Sequence, residues 1–134
     1  MSDKEKPNYD FDALPYGSAD GLRSTVDIYI LICYVVVNSK ERLSDDVLVK
    51  TMVEGEFANY FETTNALQKI KEKGLFTLNE QGFLKPANNC EYFVELVENE
   101  LPYTMRKRAV ELAAKLAVKE LYRQENEVEI IKND

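Results

Sequence analysis

Residues 60–86 read YFETTNALQKIKEKGLFTLNEQGFLKP and pass from a helical pattern into two short apolar runs. The inward positions of the first half follow helical spacing: Thr63, Ala66, Leu67 and Ile70. Gly74 can adopt the left-handed backbone conformation that ends many helices. Residues 75–78 and 83–85 are mainly apolar and flank a turn at 79–82 that ends in glycine. This order predicts a helix followed by a β-hairpin.

Two helices are predicted before this segment. Residues 24–38 begin with the capping candidates Ser24 and Thr25 and are apolar on almost every face, which predicts a buried central helix. Their β-branched side chains would also suit a strand, but the length of the segment favours a helix. The run Ser-Asp-Asp at 44–46 is an N-terminal signature for a second helix, which Gly55 closes.

Two more helices are predicted after the hairpin. A fourth helix covers about residues 89–100, and Pro102 separates it from a fifth over about 103–124. The fifth carries an apolar stripe with the spacing of a heptad seam: Met105, Ala109, Leu112 and Leu116, with Ala113, Lys119 and Leu121 beside them. Residues 127–134 (EVEIIKND) are expected to form no more than a short strand or an ordered cap on a partner.

Three helices, a two-stranded hairpin and further helix form the element order of a winged helix-turn-helix. The predicted fold class is therefore mainly α, with a small β-hairpin wing and a long C-terminal helix. We divide the chain into an extended N-terminal arm (1–21), a winged helix-turn-helix domain (22–101) and a C-terminal dimerisation helix with its tail (102–134). Residues 54–59 would form the turn, and the helix that follows them would be the recognition helix.

Composition narrows the functional classes. The chain has 134 residues, of which 45% are hydrophobic and 31% charged, as is typical of one globular domain. It contains no histidine, which removes the commonest general base and most zinc and haem sites. The sequence carries no recognisable carboxylate pair, glycine-rich phosphate loop or nucleophile motif, so we expect no enzyme activity, cofactor or metal. Its polar N-terminus and short apolar runs point to a cytoplasmic protein.

The charge distribution leaves DNA binding open. The net charge is -7, but residues 22–86 carry eight Lys or Arg against nine Asp or Glu and are nearly neutral. The acidic excess lies in residues 1–21 and 87–134. A nearly neutral domain with a local basic patch can still contact phosphates.

The third helix and the wing supply the candidate DNA-binding residues: Thr64, Asn65, Gln68, Lys69, Lys73 and Lys85. Asparagine and glutamine amides can read adenine edges, threonine can contact a phosphate or a thymine methyl group, and lysines can bind phosphates. Glu62 and Glu72 lie on the same helix, so a solvated, salt-bridged face is the alternative. Glu80 at the hairpin tip argues against insertion into the minor groove.

Two other groups of residues have open roles. The basic triplet at 106–108 could reach flanking DNA or pair with glutamates close to it in sequence, and the structural role is favoured. Cys33 is expected in the core. Cys90, near a helix start, could have a lowered thiol pKa and act as a redox sensor, although the sequence indicates no partner thiol for it.

Part of the chain resembles a known family. The matching features are Asn59-Tyr60-Phe61, the helix end from Leu67 to Leu75, and residues 98–102 followed by the basic triplet. They resemble an uncharacterised bacterial winged-helix family recorded as a domain of unknown function, which is similar to PadR-like and MarR-like transcriptional regulators. The resemblance covers about residues 24–110 and implies a DNA-binding architecture. Two features depart from the family: residues 87–90 replace a Thr-x-x-Gly turn, and the long helix with its tail replaces a C-terminal α/β segment.

These observations predict a DNA-binding transcriptional regulator that acts as a homodimer on a pseudo-palindromic site. The C-terminal helix, helped by the first helix, would form the dimer, because so small a body leaves little surface to cover its apolar stripe. Two recognition helices would then lie about 34–36 Å apart, one turn of DNA. The alternative is a winged-helix protein-protein interaction module without DNA binding, which the overall acidity and the acidic wing tip favour. A ligand-sensing regulator with a pocket between the dimer helices is a third hypothesis, for which the sequence names no effector.

Overall fold

The computed structural model describes the backbone of residues 24–132 and the side chains of residues 24–125. The helices are α1 (Thr25–Asn38), α2 (Asp45–Glu54), α3 (Tyr60–Glu72), α4 (Asn88–Val97) and α5 (Tyr103–Lys132), and the strands are β1 (Phe76–Leu78) and β2 (Leu84–Pro86). A 3₁₀ turn, Glu98–Glu100, follows α4. This element order confirms the predicted fold class, a mainly α protein with a hairpin wing and a long C-terminal helix. The arm predicted over residues 1–21 lies outside the described residues.

Helix α1 lies at the centre of the fold. Ser24 caps it, because the serine hydroxyl accepts a hydrogen bond from the backbone N–H of Asp27 at 3.0 Å. The helix packs against α3, α4 and α5, and its buried side chains are Ile28, Ile30, Leu31, Ile32, Cys33, Val35 and Val36. Packing on several sides explains why an apolar, β-branched segment is helical here, since tertiary contacts outweigh its modest helix propensity.

The turn between α2 and α3 is tightly folded. Ser44 caps the start of α2 and Gly55 caps its end, as predicted, but Gly55 has a right-handed backbone (φ -77°). The left-handed residue is Glu56, with φ at 61°. Phe57 is fully buried, and its backbone N–H donates to the carbonyl of Met52 at 2.9 Å. These contacts reverse the chain so that α3 packs against both α1 and α2.

Helix α3 is fixed at its start and along its inner face. Asn59 and Glu62 form a reciprocal capping box, with hydrogen bonds of 2.7 and 3.0 Å between each side chain and the other residue's backbone N–H. Lys71 Nζ lies 2.6 Å from Asp45 Oδ2 and links α3 to α2. The buried residues are those predicted: Thr63, Ala66, Leu67 and Ile70.

The wing is a short antiparallel hairpin attached to the helical body. Asn79 Oδ1 accepts hydrogen bonds from two backbone N–H groups of the turn, at 2.9 and 3.0 Å, and so shapes the tip. The backbone N–H of Leu84 donates to the carbonyl of Leu43 at 2.7 Å. This bond joins β2 to the segment before α2 and holds the wing beside the helix-turn-helix.

Helix α5 differs most from its prediction. It continues to Lys132, so residues 127–132 are helical and do not form the predicted short strand. It packs against α1 and α2 of the same chain. Much of its predicted apolar stripe is buried in that contact: Ala109, Ala113 and Leu116, together with Ala117. The stripe from which a dimer was inferred is thus largely covered within one protomer. Helix α4 is also shorter than predicted, because it ends at Val97 and continues as the 3₁₀ turn.

Candidate nucleic-acid interface

The outer face of α3 carries a line of side chains opposite its buried face. Phe61, Asn65, Gln68 and Glu72 follow one another at steps of four, three and four residues, a spacing that aligns side chains on one side of a helix. All of them are exposed. We call these residues the α3 ridge. The ridge is the part of α3 that a partner approaching from solvent meets first.

The predicted base-reading residues do not share one environment. Asn65 lies on the ridge, and its side chain makes no hydrogen bond within the described residues. Gln68 also lies on the ridge, where its Nε2 donates to Glu72 Oε2 at 3.2 Å. Thr64 is half-buried at the flank, and its hydroxyl lies 3.0 Å from the carbonyl oxygen of Tyr60 as a donor. A hydroxyl whose proton is used in this way cannot also donate to a phosphate.

The predicted phosphate-binding lysines are exposed, and none pairs with another described residue: Lys69, Lys73 and Lys85. Lys69 and Lys73 flank the ridge at the C-terminal end of α3. Lys85 lies on β2 opposite Thr77 of β1, and β1 packs against α3. The available positive charge is therefore placed on the second half of α3 and on the wing.

The carboxylates of α3 take part in local hydrogen bonds. Glu62 belongs to the capping box, and Glu72 accepts the hydrogen bond from Gln68. These two glutamates, which the sequence sets against DNA binding, thus serve the helix itself. Glu80 is exposed at the wing tip.

Two residues of the basic triplet differ in what they contact. Arg106 is buried, its Nε donates to the carbonyl of Leu101 at 3.1 Å, and its guanidinium lies 5.3 Å from the centre of the Tyr34 ring. Lys107 Nζ lies 4.0 Å from a carboxylate oxygen of Glu111, and both side chains are exposed. The favoured pairing with a nearby glutamate is therefore confirmed for Lys107, whereas Arg106 contacts a carbonyl and aromatic rings instead.

Arg108 connects α5 to the helix-turn-helix. Its Nη1 donates to the carbonyl of Gly55 at 3.0 Å, and its guanidinium carbon lies 4.3 Å from the centre of the Phe57 ring. The two bonded residues are 53 positions apart in sequence. Sequence reasoning did not find this contact, because no local pattern relates positions so distant.

The two cysteines meet in the core. Cys33 on α1 and Cys90 on α4 are both fully buried free thiols. The interaction between the two thiols, with burial, raises the pKa of Cys33, whereas the same interaction lowers the pKa of Cys90. The partner thiol that the sequence does not indicate is therefore Cys33, because α1 and α4 pack side by side.

Two features are absent from the described residues: a metal-binding cluster and a helix that could cross a membrane. Across residues 24–125, no group of three or more His, Cys, Asp and Glu side chains is arranged to hold a metal ion. In the part of the chain that the structure describes, no helix combines the length and apolar character needed to cross a membrane. Neither result adds a residue to the candidate interface.

The arrangement of α1, α2 and α3 with the β1–β2 wing defines a winged-helix protein. Within that class, the chain belongs to the family described as a domain of unknown function, DUF4364, whose model matches residues 28–134. The match extends through α5, so the long C-terminal helix lies inside the matched region. No curated protein and no solved structure matches the chain.

Proposed function

We propose that this protein is a DNA-binding transcriptional regulator, comparable in role to PadR-like and MarR-like regulators, that acts as a homodimer on a pseudo-palindromic site. The observation that carries the proposal is the α3 ridge with its flanks. The ridge presents the Asn65 and Gln68 amides, and Lys69 and Lys73 flank it without ion-pair partners in the described residues. Amides can read base edges and unpaired lysines can bind phosphates. The proposal includes a location in the bacterial cytoplasm, where such a protein meets DNA.

In the proposed complex, α3 enters the major groove. Asn65 donates to and accepts from one adenine edge, and Gln68 exchanges its bond with Glu72 for the edge of a neighbouring base. Lys69, Lys73 and Lys85 bind backbone phosphates on either side of the groove. Thr64 contributes its methyl group to a thymine, because its hydroxyl proton is already donated within the helix.

The homodimer part of the proposal rests on the outer face of α5. Val118, Leu121 and Tyr122 are exposed there, and their spacing of three and four residues places them on one side of the helix. Leu121 and Tyr122 each border a groove between α5 and α2. Two copies joined through these residues bury an apolar surface that a monomer leaves in water.

The decisive experiment selects bound fragments from sheared genomic DNA at low salt and repeats the selection at rising salt. We expect wild type to enrich a short inverted repeat, and Lys69→Glu with Lys73→Glu to lose it. The matched control is Lys115→Glu with Lys119→Glu, which makes the same charge change at the same spacing on exposed positions of α5. Enrichment by wild type and control alone supports the proposal. Equal losses in both variants would attribute the effect to net charge and contradict the assignment of α3.

The base-reading residues are tested with the selected site. We expect Asn65→Ala with Gln68→Ala to retain low-salt binding to random DNA and to lose preference for the selected repeat, since phosphate contacts position the protein and base contacts specify the sequence. Unchanged preference for the repeat would show that α3 is not the recognition helix.

A second candidate function is a winged-helix protein-protein interaction module without DNA binding. The observation that favours it is Glu80, exposed at a wing tip that carries no lysine or arginine in a chain of net charge -7. If wild type enriches no DNA even at low salt, this function is preferred to the regulator.

A further inference from the structure

Phe61 is exposed in a way that core packing does not explain. It lies in the first turn of α3, and 74% of its surface is accessible, more than for any other large hydrophobic residue that the structure describes as exposed. A phenylalanine ring left in water loses the stabilisation that its burial would bring. Tyr60 beside it is also exposed, so the two rings form an apolar patch at the start of α3, and such a patch can mark a surface that is covered only in a complex.

The surroundings of Phe61 hold its backbone and ring in place without covering the ring. The capping box of Asn59 and Glu62 fixes the first turn of α3 on either side of it. The neighbouring Tyr60 ring meets it edge to face, with centroids 5.6 Å apart and an interplanar angle of 83°. A side chain positioned in this way loses little conformational freedom when it binds.

The neighbours of Phe61 along the ridge decide what kind of partner fits. One turn further on is Asn65 and then Gln68, two amides with both donor and acceptor groups. On α5, by contrast, three exposed apolar side chains fall within five residues: Val118, Leu121 and Tyr122. A single apolar contact followed by paired donors and acceptors resembles the edge of an A·T base pair in the major groove, which offers one methyl group beside hydrogen-bonding atoms.

We propose that Phe61 binds the C5-methyl group of a thymine in the major groove, beside the base read by Asn65. The inference rests on the proposed DNA-binding function and adds a specificity-determining residue to it. The N-terminal part of a recognition helix is the part that reaches base edges, and Phe61 is in that part. Residues four apart on a helix have Cβ atoms about 5–6 Å apart, so Phe61 and Asn65 reach neighbouring base pairs. Thr64 can reach a methyl group only from the flank, whereas Phe61 projects from the centre of the ridge.

The nearby charges suit this contact. The Glu62 carboxylate, the acidic group closest to Phe61 in sequence, is held by the Asn59 backbone N–H at 3.0 Å. Lys69 lies two turns along the same helix and is exposed without an ion pair among the described residues. Phosphates are therefore attracted to the flank of the ridge while its apolar end meets the base.

The test replaces thymine by deoxyuridine, which lacks only the methyl group, at each position of the selected repeat in turn. In each half-site we expect one position at which this single replacement weakens the DNA binding of wild type about fourfold. That loss is typical of one buried methylene-sized group. Phe61→Ala is expected to bind the thymine and deoxyuridine duplexes equally. Phe61→Leu, which keeps an apolar side chain, retains part of the preference, and Tyr92→Ala, which removes an exposed ring from α4, retains all of it. Thermal melting of each variant checks that the fold is intact.

The outcomes separate this inference from the function on which it rests. DNA binding by wild type with no effect of deoxyuridine, or a selected repeat without thymine, overturns the role of Phe61 and leaves the regulator proposal standing. The same holds if Phe61→Ala discriminates as wild type does. Failure of wild type to bind DNA overturns both, and a partner protein that loses affinity for Phe61→Ala would then show that the ring docks on protein.

Discussion

The turn before α3 depends on a close approach between a glycine and an aromatic ring. A Cβ atom built on Gly55 would lie 2.3 Å from Phe57 Cε2 and 2.9 Å from the carbonyl oxygen of Thr51. The glycine is needed for this space and not for a left-handed backbone, which belongs to Glu56. The sequence predicts correctly that α2 ends at Gly55, but the reason involves a ring whose position depends on the folded core.

The different backbone and packing requirements of Gly55 and Glu56 predict that substitutions at the two positions change the free energy of unfolding in opposite directions. Gly55→Ala is expected to lower the free energy of unfolding by about 1–3 kcal/mol, because the Phe57 ring must shift to admit the methyl group. Glu56→Gly is expected to raise it by up to about 1 kcal/mol, because glycine adopts a positive φ without strain. Urea denaturation of both variants measures the changes. A neutral Gly55→Ala variant would contradict the close packing of the turn.

Asp27 at the start of α1 links stability to pH. Burial raises the pKa of its carboxyl group, the Ser24 hydroxyl opposes the shift, and the negative charge of Glu100 adds to it. As pH rises, the unfolded chain therefore loses this proton before the folded protein does, and stability declines until the folded carboxyl has also ionised. We therefore compare the free energy of unfolding of Asp27→Asn with that of wild type at two pH values. The difference is expected to favour the variant more at about pH 7 than at about pH 3.

Urea denaturation at both pH values measures that difference. Asp46→Asn is the control, because it also removes a carboxylate from the first turn of a helix, where such charges favour the helix dipole. A relative stability of Asp27→Asn that stays constant with pH, after this correction, would rule out the burial effect at Asp27.

Among the elements, α3 and the wing are the best predicted from sequence. At Gly74 the apolar residues change from helical spacing to two short apolar runs, so the local sequence is enough to place the boundary. Helix α5 is predicted less well. Its end at Lys132 is not predicted because residues 123–127 (RQENE) are all polar or charged and interrupt the apolar stripe. The role of Arg108 was missed for a different reason, because it depends on a contact between distant elements.

The start of α5 gives a prediction at this scale. Arg108→Ala is expected to lower the free energy of unfolding by about 1–2 kcal/mol, since it removes a charged hydrogen bond and a contact with an aromatic face. Lys107→Ala is the matched control, and its exposed ion pair predicts a loss below about 0.5 kcal/mol. Chemical denaturation measures both. If Arg108→Ala is as stable as the control but weakens DNA binding, the arginine contacts DNA and does not connect the elements.

For the whole molecule, burial of the α5 stripe changes which surface is available for a dimer. Sequence periodicity identifies an apolar stripe but not the chain that covers it, and here α1 and α2 of the same protomer cover much of it. The candidate interface on α3 was predicted more fully, since Asn65, Gln68 and the lysines are exposed as expected. Phe61 was missed because an apolar residue is usually assigned to the core when exposure is unknown.

The proposed dimer predicts a change in molecular mass. We expect light scattering to give a dimer for wild type and a monomer for Val118→Glu with Leu121→Glu, because two carboxylates would have to be buried unpaired in the interface. Lys69→Glu with Lys73→Glu, which also adds two glutamates but places them at the C-terminal end of α3, is expected to remain a dimer. A wild-type monomer at micromolar concentration would refute the dimer.

The hydrogen bond from Arg108 to Gly55 has a geometric consequence for any dimer that α5 builds. In the proposed dimer this bond would link α5 to the turn before α3, so the two α3 helices would keep a fixed separation. One base pair inserted between the half-sites would displace the second half-site by about 3.4 Å along the DNA and rotate it by about 35°. A flexible turn would let each α3 helix move to follow such a change. With α3 held to α5, the helices would not follow it, and DNA binding would depend on the spacing of the half-sites as strongly as on their bases.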